Sequence, residues 1–359
     1  MPHPEKKKSM REGGGDKTSE EAQNHGVSAR LWRREEGAIR CLLCPHGCLI
    51  QEEKQGICGV RKNIGGELIP LTYGRVASVA VDPIEKKPLF HFLPGTTTYS
   101  LGGVGCNFRC RHCQNYEISQ AGITDLPLRH LPPEQGVLQA EKSGSKSITW
   151  TYNEPTIWHE YALDMGTIAR QRNLKTIYVT NGYITEDALD ELAPMLSAFR
   201  VDLKAFSDDF YRSVCGGRLQ PVLDATVRAH EHSMHIETVT LIIPGANDNP
   251  DEIDGLITWV IENLGPETPM HFTRYRPYYR MQEPQATPVK QLEAIYARAR
   301  ELGLEYPYLG NIPGSPYEDT RCPSCETLLI QRRGFSAETP GLDVDRCSGC
   351  GRRIPLVLP

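Results

Sequence analysis

Cys106, Cys110 and Cys113 stand in the run Gly102-Gly103-Val104-Gly105-Cys106-Asn107-Phe108-Arg109-Cys110-Arg111-His112-Cys113, at a C-x3-C-x2-C spacing. Thiolates are soft metal ligands, and a cubane iron–sulfur cluster takes four of them. Three thiolates in one short loop leave one iron without a protein ligand, open to a small molecule. The glycines let the loop wrap tightly and bring backbone N–H groups near the sulfides. The alternative for the same residues is a three-cysteine zinc site completed by His112.

Two further cysteine groups flank this loop. The C-terminal one is Cys322-x2-Cys325, a 21-residue spacer, then Cys347-x2-Cys350. Paired C-x-x-C knuckles converge four thiolates tetrahedrally, as Zn²⁺ prefers, so a structural zinc ribbon is expected, with an iron centre as the alternative. The N-terminal group is Cys41-x2-Cys44-x3-Cys48-x9-Cys58, four thiolates within 18 residues. Zinc is favoured there too, and a second iron–sulfur cluster acting as an electron relay is the competing reading. Of the 12 cysteines only Cys215 is unclustered, and it is expected to be buried and inert.

The elements that must carry these groups follow from periodicity. Between Thr98 and Gly303, short apolar or β-branched runs alternate with helical patterns. The runs are Thr98–Val104, Ser147–Thr151, Thr176–Thr180, Phe199–Leu203, Ile236–Ile243 and His271–Tyr275. Between and after them come Pro133–Lys142, Ile157–Gln171, Glu186–Leu196, Val222–Ser233, Asp251–Asn263 and Val289–Leu302. Such alternation implies right-handed βαβ units and a parallel sheet. The expected fold is α/β, a parallel (β/α)6 partial TIM-type barrel, with a doubly wound sheet as runner-up. Active groups of such folds gather at the C-terminal ends of the strands, and the cysteine triplet follows the first of them. The expected organisation is a disordered segment over 1–30, a Cys-rich and β-rich element over 31–97, the barrel over 98–310 and a four-cysteine zinc-ribbon-like segment over 311–359.

Here the residues carry a resemblance. Cys106, Cys110 and Cys113 match the signature of the radical S-adenosylmethionine (SAM) superfamily. The resemblance implies a 4Fe-4S cluster whose open iron chelates the amino and carboxylate groups of SAM. One electron then cleaves SAM to methionine and a 5′-deoxyadenosyl radical, which abstracts hydrogen from a substrate. Later strand ends follow the same pattern. Glu154, in Tyr152-Asn153-Glu154 where the superfamily usually has Gly-Gly-Glu, resembles the acid that meets the SAM amino group, with Asn153 beside it. Asn181, in Thr180-Asn181-Gly182, resembles the segment that meets the ribose. Asp202-Leu203-Lys204 is similar to a motif of the activating-enzyme branch. Side chains two apart on a strand share a face, so Asp202 and Lys204 either form a buried pair or reach SAM and substrate. On the sixth strand His271 and Arg274 are candidate substrate contacts on opposite faces.

From Cys41 to Arg353 the chain resembles one branch, the radical SAM protein of the AmmeMemoRadiSam system, similar to pyruvate formate-lyase activating enzymes. The carrying residues are Cys41–Pro45, Gly56–Arg61, Pro88–Gly95, Thr151–Thr156 and Tyr308–Gly314, with the C-terminal ribbon. That resemblance implies Memo-like and AMMECR-like partners and an electron-donor protein. It leaves open whether the radical acts on a protein, as a glycyl-radical activase would, or on a small molecule. The rival from another class is a non-catalytic scaffold that joins partners through its zinc sites.

Composition bounds the rest. The chain has 359 residues, a net charge of −5 and 39% hydrophobic residues, which argues for a mostly globular protein. Mild acidity argues against a nucleic-acid or anionic-membrane surface, although Arg332-Arg333 and Arg352-Arg353 are modest evidence for the former. No apolar run approaches the roughly 18 residues of a membrane span. The first thirty residues hold no apolar stretch of a secretory signal, so a cytoplasmic, reducing location is expected, where clustered cysteines bind metals rather than pair.

Overall fold

The computed structural model describes residues 27–359. The expected disordered segment therefore lies outside the described residues up to position 26. Beyond it, Ala29 is buried, Arg30 pairs with Glu191 at 2.8 Å, and its backbone N–H donates to Glu160 at 2.7 Å.

An eight-stranded sheet organises the molecule. In chain order its strands are β1 (Ser78–Pro83), β2 (Thr97–Gly102), β3 (Ser147–Trp150), β4 (Lys175–Thr180), β5 (Ala198–Asp202), β6 (His235–Ile242), β7 (Met270–Arg274) and β8 (Pro307–Gly310). They are neighbours in that same order. Strands β2 to β8 run parallel, and β1 is antiparallel to β2 at the edge. All six expected runs form strands, and β8 adds a seventh parallel one.

The connections explain the parallel order. Six helices return the chain: α1 (Pro133–Lys142), α2 (His159–Gln171), α3 (Glu186–Leu192), α4 (Leu219–Glu231), α5 (Pro250–Leu264) and α6 (Val289–Leu302). The sequence of α5 shows why such a helix forms. Asn249 caps it by accepting from the N–H of Asp251 at 2.8 Å, Pro250 sits at its first position, and Gly265 ends it at φ +96°. Ile253, Leu256, Ile257, Val260 and Leu264 recur every three to four residues and are all buried against the sheet. Strand β3 is buried throughout, as a strand covered on both faces must be.

The first halves of the strands are filled from within. Glu237 of β6, fully buried, accepts from the backbone N–H groups of Phe90 at 2.9 Å and His91 at 2.7 Å. It also accepts from the rings of His235 at 2.9 Å and His271 at 2.7 Å. Four donors compensate one buried carboxylate. They fix the Phe90-His91 segment against β6 and β7. Phe90, Tyr306 and Tyr308 continue into a second core with Cys322, Leu329, Ile330, Cys347 and Ile354, so the C-terminal segment is seated at this end. The N-terminal element is built from small antiparallel sheets and tied to α2 by a buried Arg61–Glu160 pair at 2.8 Å. Among the described residues no helix is long and apolar enough to cross a membrane.

Candidate active site

The loop that follows β2 is held from four sides. Gly105 has φ +82°, and a Cβ there would lie 2.4 Å from the carbonyl oxygen of Cys58, so only glycine fits. Asn153 braces the same stretch, accepting from Gly103 N–H and donating to Gly105 C=O, both at 3.0 Å. Asn181 donates to the Asn107 side chain at 2.9 Å, and Asn107 donates to Tyr183 C=O at 2.8 Å. The π-helical turn Tyr211–Cys215 leaves carbonyls free, and those of Cys215 and Val214 accept from Arg109 N–H at 2.7 Å and Arg111 N–H at 3.0 Å. Cys215 is fully buried as expected. Its thiol faces Cys110, holding that thiol below its ordinary pKa, while burial pushes Cys215 itself up.

The three cysteines line one cavity of about 420 Å³. They do not converge on a single ion: among the described residues only Cys322, Cys325, Cys347 and Cys350 bring three or more ligand atoms within 4.8 Å of one another. A zinc ion with sulfurs at about 2.3 Å needs thiolates about 3.8 Å apart. The ligand set of the zinc alternative, the three thiols with His112, is thus not converged in this structure. His112 is instead buried beside Phe210, its pKa pushed down to about 3 by burial, with an Nδ1 that has no hydrogen-bond partner. The sulfurs have donors around them: Phe108 N–H lies 3.4 Å from Cys106 Sγ, and Ser119 Oγ lies 3.2 Å from Cys113 Sγ. Wider thiol spacing with N–H and O–H groups aimed at sulfur suits a cluster.

Ends of the other parallel strands complete the wall: Thr151, Thr180, Asp202, Leu241, Thr273 and Asn311. A flat sheet would hold the β2 and β8 ends far apart, so their sharing one cavity means that the sheet curves strongly around it. Glu154, just after β3, is fully buried there. Its carboxylate accepts from Thr180 Oγ at 2.6 Å, Thr156 N–H at 2.9 Å and Asn181 N–H at 2.7 Å. Burial raises its pKa, and among the described residues no Lys or Arg lies within salt-bridge distance. A carboxylate has about four acceptor positions, so one is left for a cation. Tyr152, two residues earlier, adopts φ +73°, a strained conformation of the kind stored at functional sites.

Of the two readings offered by the sequence for Asp202 and Lys204, the pair is formed, at 2.6 Å, and both residues also lie on the cavity wall. Arg200 joins them through the other Asp202 oxygen. Burial opposes ionisation of Asp202, yet Arg200 and Lys204 hold its pKa down at about 2. Arg200 escaped sequence reasoning, and so did Lys87. Lys87 is 2.6 Å from Asp82 and 4.4 Å from the centre of the Tyr152 ring, with its pKa lowered to about 8 by burial. The Lys86-Lys87 pair before Pro88 was the available signal. His271 and Arg274 lie elsewhere: His271 binds Glu237, and Arg274 donates to Thr287 C=O at 2.8 Å.

The two flanking groups differ. At the C terminus, Cys322 and Cys350 are 3.6 Å apart and Cys325 and Cys347 are 3.5 Å apart, a fit to one tetrahedral metal ion. At the N terminus, Cys41, Cys44, Cys48 and Cys58 line one small apolar cavity without such convergence.

A family model described as "Radical SAM superfamily" matches residues 101–260, from the end of β2 into α5. An uncharacterized protein of Methanocaldococcus jannaschii is 43% identical over 326 residues, covering 90% of this chain and 97% of its own. A GTP 3′,8-cyclase of Listeria monocytogenes is 24% identical over 257 residues, covering 64% of this chain and 74% of its own. Among solved structures, a domain of a pyruvate-formate lyase-activating enzyme from Bacteroides vulgatus is similar at 16% identity and a TM-score of 0.41, covering 46% of this chain and all of that one. The family match runs from the end of β2 through β6, five of the seven parallel strands whose ends meet at the cysteine-lined cavity, and this chain belongs to the radical SAM superfamily.

Proposed function

We propose that the chain binds a 4Fe-4S cluster through Cys106, Cys110 and Cys113 and uses it to cleave SAM reductively. The observation that carries this reading is a cavity with three thiols, too widely spaced for one ion, facing a buried carboxylate that has no cationic partner. When bound, the cluster supplies an iron open to the amino and carboxylate groups of SAM and the electron that releases methionine and a 5′-deoxyadenosyl radical. The chain's own residues do the rest. Glu154 accepts from the ammonium group of SAM, and its burial keeps water from screening that contact. Asn181 is the proposed ribose contact through its remaining amide N–H, since its amide already donates to Asn107 at 2.9 Å and accepts from Tyr183 N–H at 2.9 Å. Asn153, proposed beside Glu154 at the SAM site, also braces the loop, since both ends of its amide bind the Gly103–Gly105 backbone. Arg200, Asp202, Lys204 and Lys87 remain along the wall as charged groups for substrate.

The substrate reading follows the branch resemblance: hydrogen abstraction from a protein, as in activating enzymes, in a cytoplasmic system with Memo-like and AMMECR-like partners and an electron-donor protein. The C-terminal four-cysteine group is proposed to hold structural zinc. It is seated with Phe90 and Tyr308 at the first halves of the strands, away from the cavity, which favours a structural task over the scaffold rival's recognition task.

The test is spectroscopic. The anaerobically reconstituted and reduced protein should give a paramagnetic cluster signal that shifts when SAM is added, and Cys113→Ala should abolish the shift. A reduced cluster whose signal is indifferent to SAM overturns the proposal. Cys322→Ala should lower bound zinc by about one per chain at unchanged iron; unchanged zinc rejects the ribbon.

A further inference from the structure

The cysteine loop has an inner and an outer face. Phe108, Cys110 and His112 line the cavity, and Arg109 and Arg111, which alternate with them, do not. Both arginines are exposed. A second segment joins them. Arg280, in the turn after β7, donates its backbone N–H to Arg111 C=O at 3.0 Å. Three residues past Cys113, Tyr116 stacks on Tyr279, with ring centres 4.4 Å apart and 13° between the planes. Tyr278 lies 6.1 Å from the Tyr116 ring and is 41% exposed. On the other side Arg109 donates to Ile57 C=O, and Ile57 is 48% exposed. The result is one continuous patch of arginine, tyrosine and isoleucine over the outside of the loop.

Charge sets this patch apart from the rest of the surface. Residues 109–116 and 275–282 hold four arginines and no carboxylate, in a chain of net charge −5. Among the described residues neither the Arg111 nor the Arg280 guanidinium has an ion-pair partner. Arg30, Arg172, Arg212, Arg298 and Arg353, on other parts of the surface, each meet a carboxylate. Unpaired arginines beside exposed tyrosine and isoleucine have the composition of a protein-binding surface, and their charge selects a partner rich in carboxylates. Single-stranded nucleic acid fits less well, because stacked bases need open ring faces. Tyr116 and Tyr279 cover one another, and the Arg280 guanidinium lies over the Tyr279 ring at 5.1 Å. Position supplies the use. A partner seated here is separated from the cavity by the thickness of the cysteine loop alone, and Arg111 stands between Cys110 and Cys113.

We propose that this face is where the electron donor docks, and that the donor is a small acidic redox protein whose carboxylates meet Arg111 and Arg280. The use rests on the function proposed above, which makes the loop cluster the electron acceptor; the binding does not. In each encounter the donor loses one electron and the loop cluster gains it, and no bond forms or breaks.

The test uses the full chain reconstituted without oxygen, with a plant-type ferredoxin as the acidic donor. The second-order rate constant for reduction of the loop cluster by reduced ferredoxin should fall as salt rises. In Arg111→Glu/Arg280→Glu it should fall at least about tenfold. Photoreduced deazaflavin, a small uncharged reductant, should reduce that variant within about twofold of the unaltered rate, because its approach does not depend on the two charges. An unaltered ferredoxin rate in the variant overturns the proposal. Binding separates it from the preceding reading. Oxidised ferredoxin, titrated without SAM, should bind the variant at least about tenfold more weakly. Equal binding by both proteins overturns the docking surface even if SAM is cleaved, and arginine-dependent binding supports it even if SAM is not. Binding of a single-stranded RNA oligonucleotide, or salt-sensitive self-association, that is lost in the variant while ferredoxin binding is unchanged also overturns it. Should the double reversal disturb the fold or the cluster, Arg111→Gln and Arg280→Gln decide separately. Each should slow ferredoxin reduction about threefold at low salt, and no slowing in either contradicts the proposal.

Discussion

Replacing Glu154 by Gln removes a charge and keeps the shape, and the structure says what each change costs. One oxygen of Glu154 accepts from Thr156 N–H and Thr180 Oγ, and the other accepts from Asn181 N–H. A glutamine keeps one acceptor and turns its NH2 toward a backbone N–H. That leaves a buried donor unmet, at about 1–3 kcal/mol of stability. The effect on SAM is separate. A hydrogen bond to a charged group contributes about 1.5–3 kcal/mol, so loss of the ammonium–carboxylate contact should weaken SAM binding by about 10- to 150-fold. Equilibrium titration of SAM against the reconstituted protein measures this, with cluster absorbance confirming an intact site. Thr180→Val is the control. It removes one donor to Glu154 while leaving the charge, so it should cost stability with less than about a threefold change in SAM affinity. A folded Glu154→Gln protein with unaltered SAM affinity would refute the assignment and leave Glu154 as a brace between β3 and β4.

Three further outcomes follow from the same structure. Gly105→Ala should block closure of the loop on Cys58, lowering loop-cluster iron while the protein stays folded; full iron occupancy would contradict the contact. Arg61→Met should strand Glu160 in the interior and cost about 3–5 kcal/mol, read as a lower urea midpoint, with Arg61→Met/Glu160→Gln less damaging than the single change. Glu237 should make the protein acid-sensitive. Burial opposes its ionisation, but hydrogen bonds from His235 and His271 hold its pKa far below the ordinary value. The stability this carboxylate contributes is present above the unfolded pKa of about 4.3 and is lost as pH falls toward the folded value. Glu237→Gln should flatten the acid limb of the melting-temperature profile, and an unchanged slope would show that other groups dominate it.

What could be read from the sequence was what is local. The alternation of β-branched runs with helical patterns placed the six strands from β2 to β7 and all six helices, because period and length are properties of short windows. The cysteine spacings located three thiol groups for the same reason. Strand β8 was missed as a strand because it is short and opens on Pro307, which reads as a break. Strand β1 was read as part of the N-terminal element, since nothing in Ser78–Pro83 says that it pairs with β2. The charges were harder still. The Glu237 hub joins residues separated by up to 147 positions, and no window contains it. The cationic wall of the cavity depends on Arg200 and Lys87, which become neighbours only when the sheet curves. Asp202 and Lys204 were left as either a pair or a wall because the sequence shows only that they share a face. The fold pairs them and sets the pair on the cavity wall.

The central claim is reductive cleavage of SAM at the Cys106–Cys113 loop. Its most direct test is to purify the full chain without oxygen, reduce it with SAM present, and quantify 5′-deoxyadenosine and methionine together. The account predicts equal amounts of the two products, and neither in Cys113→Ala. An intact, reduced cluster with bound SAM that forms neither product, with Memo-like and AMMECR-like proteins also present, would contradict it.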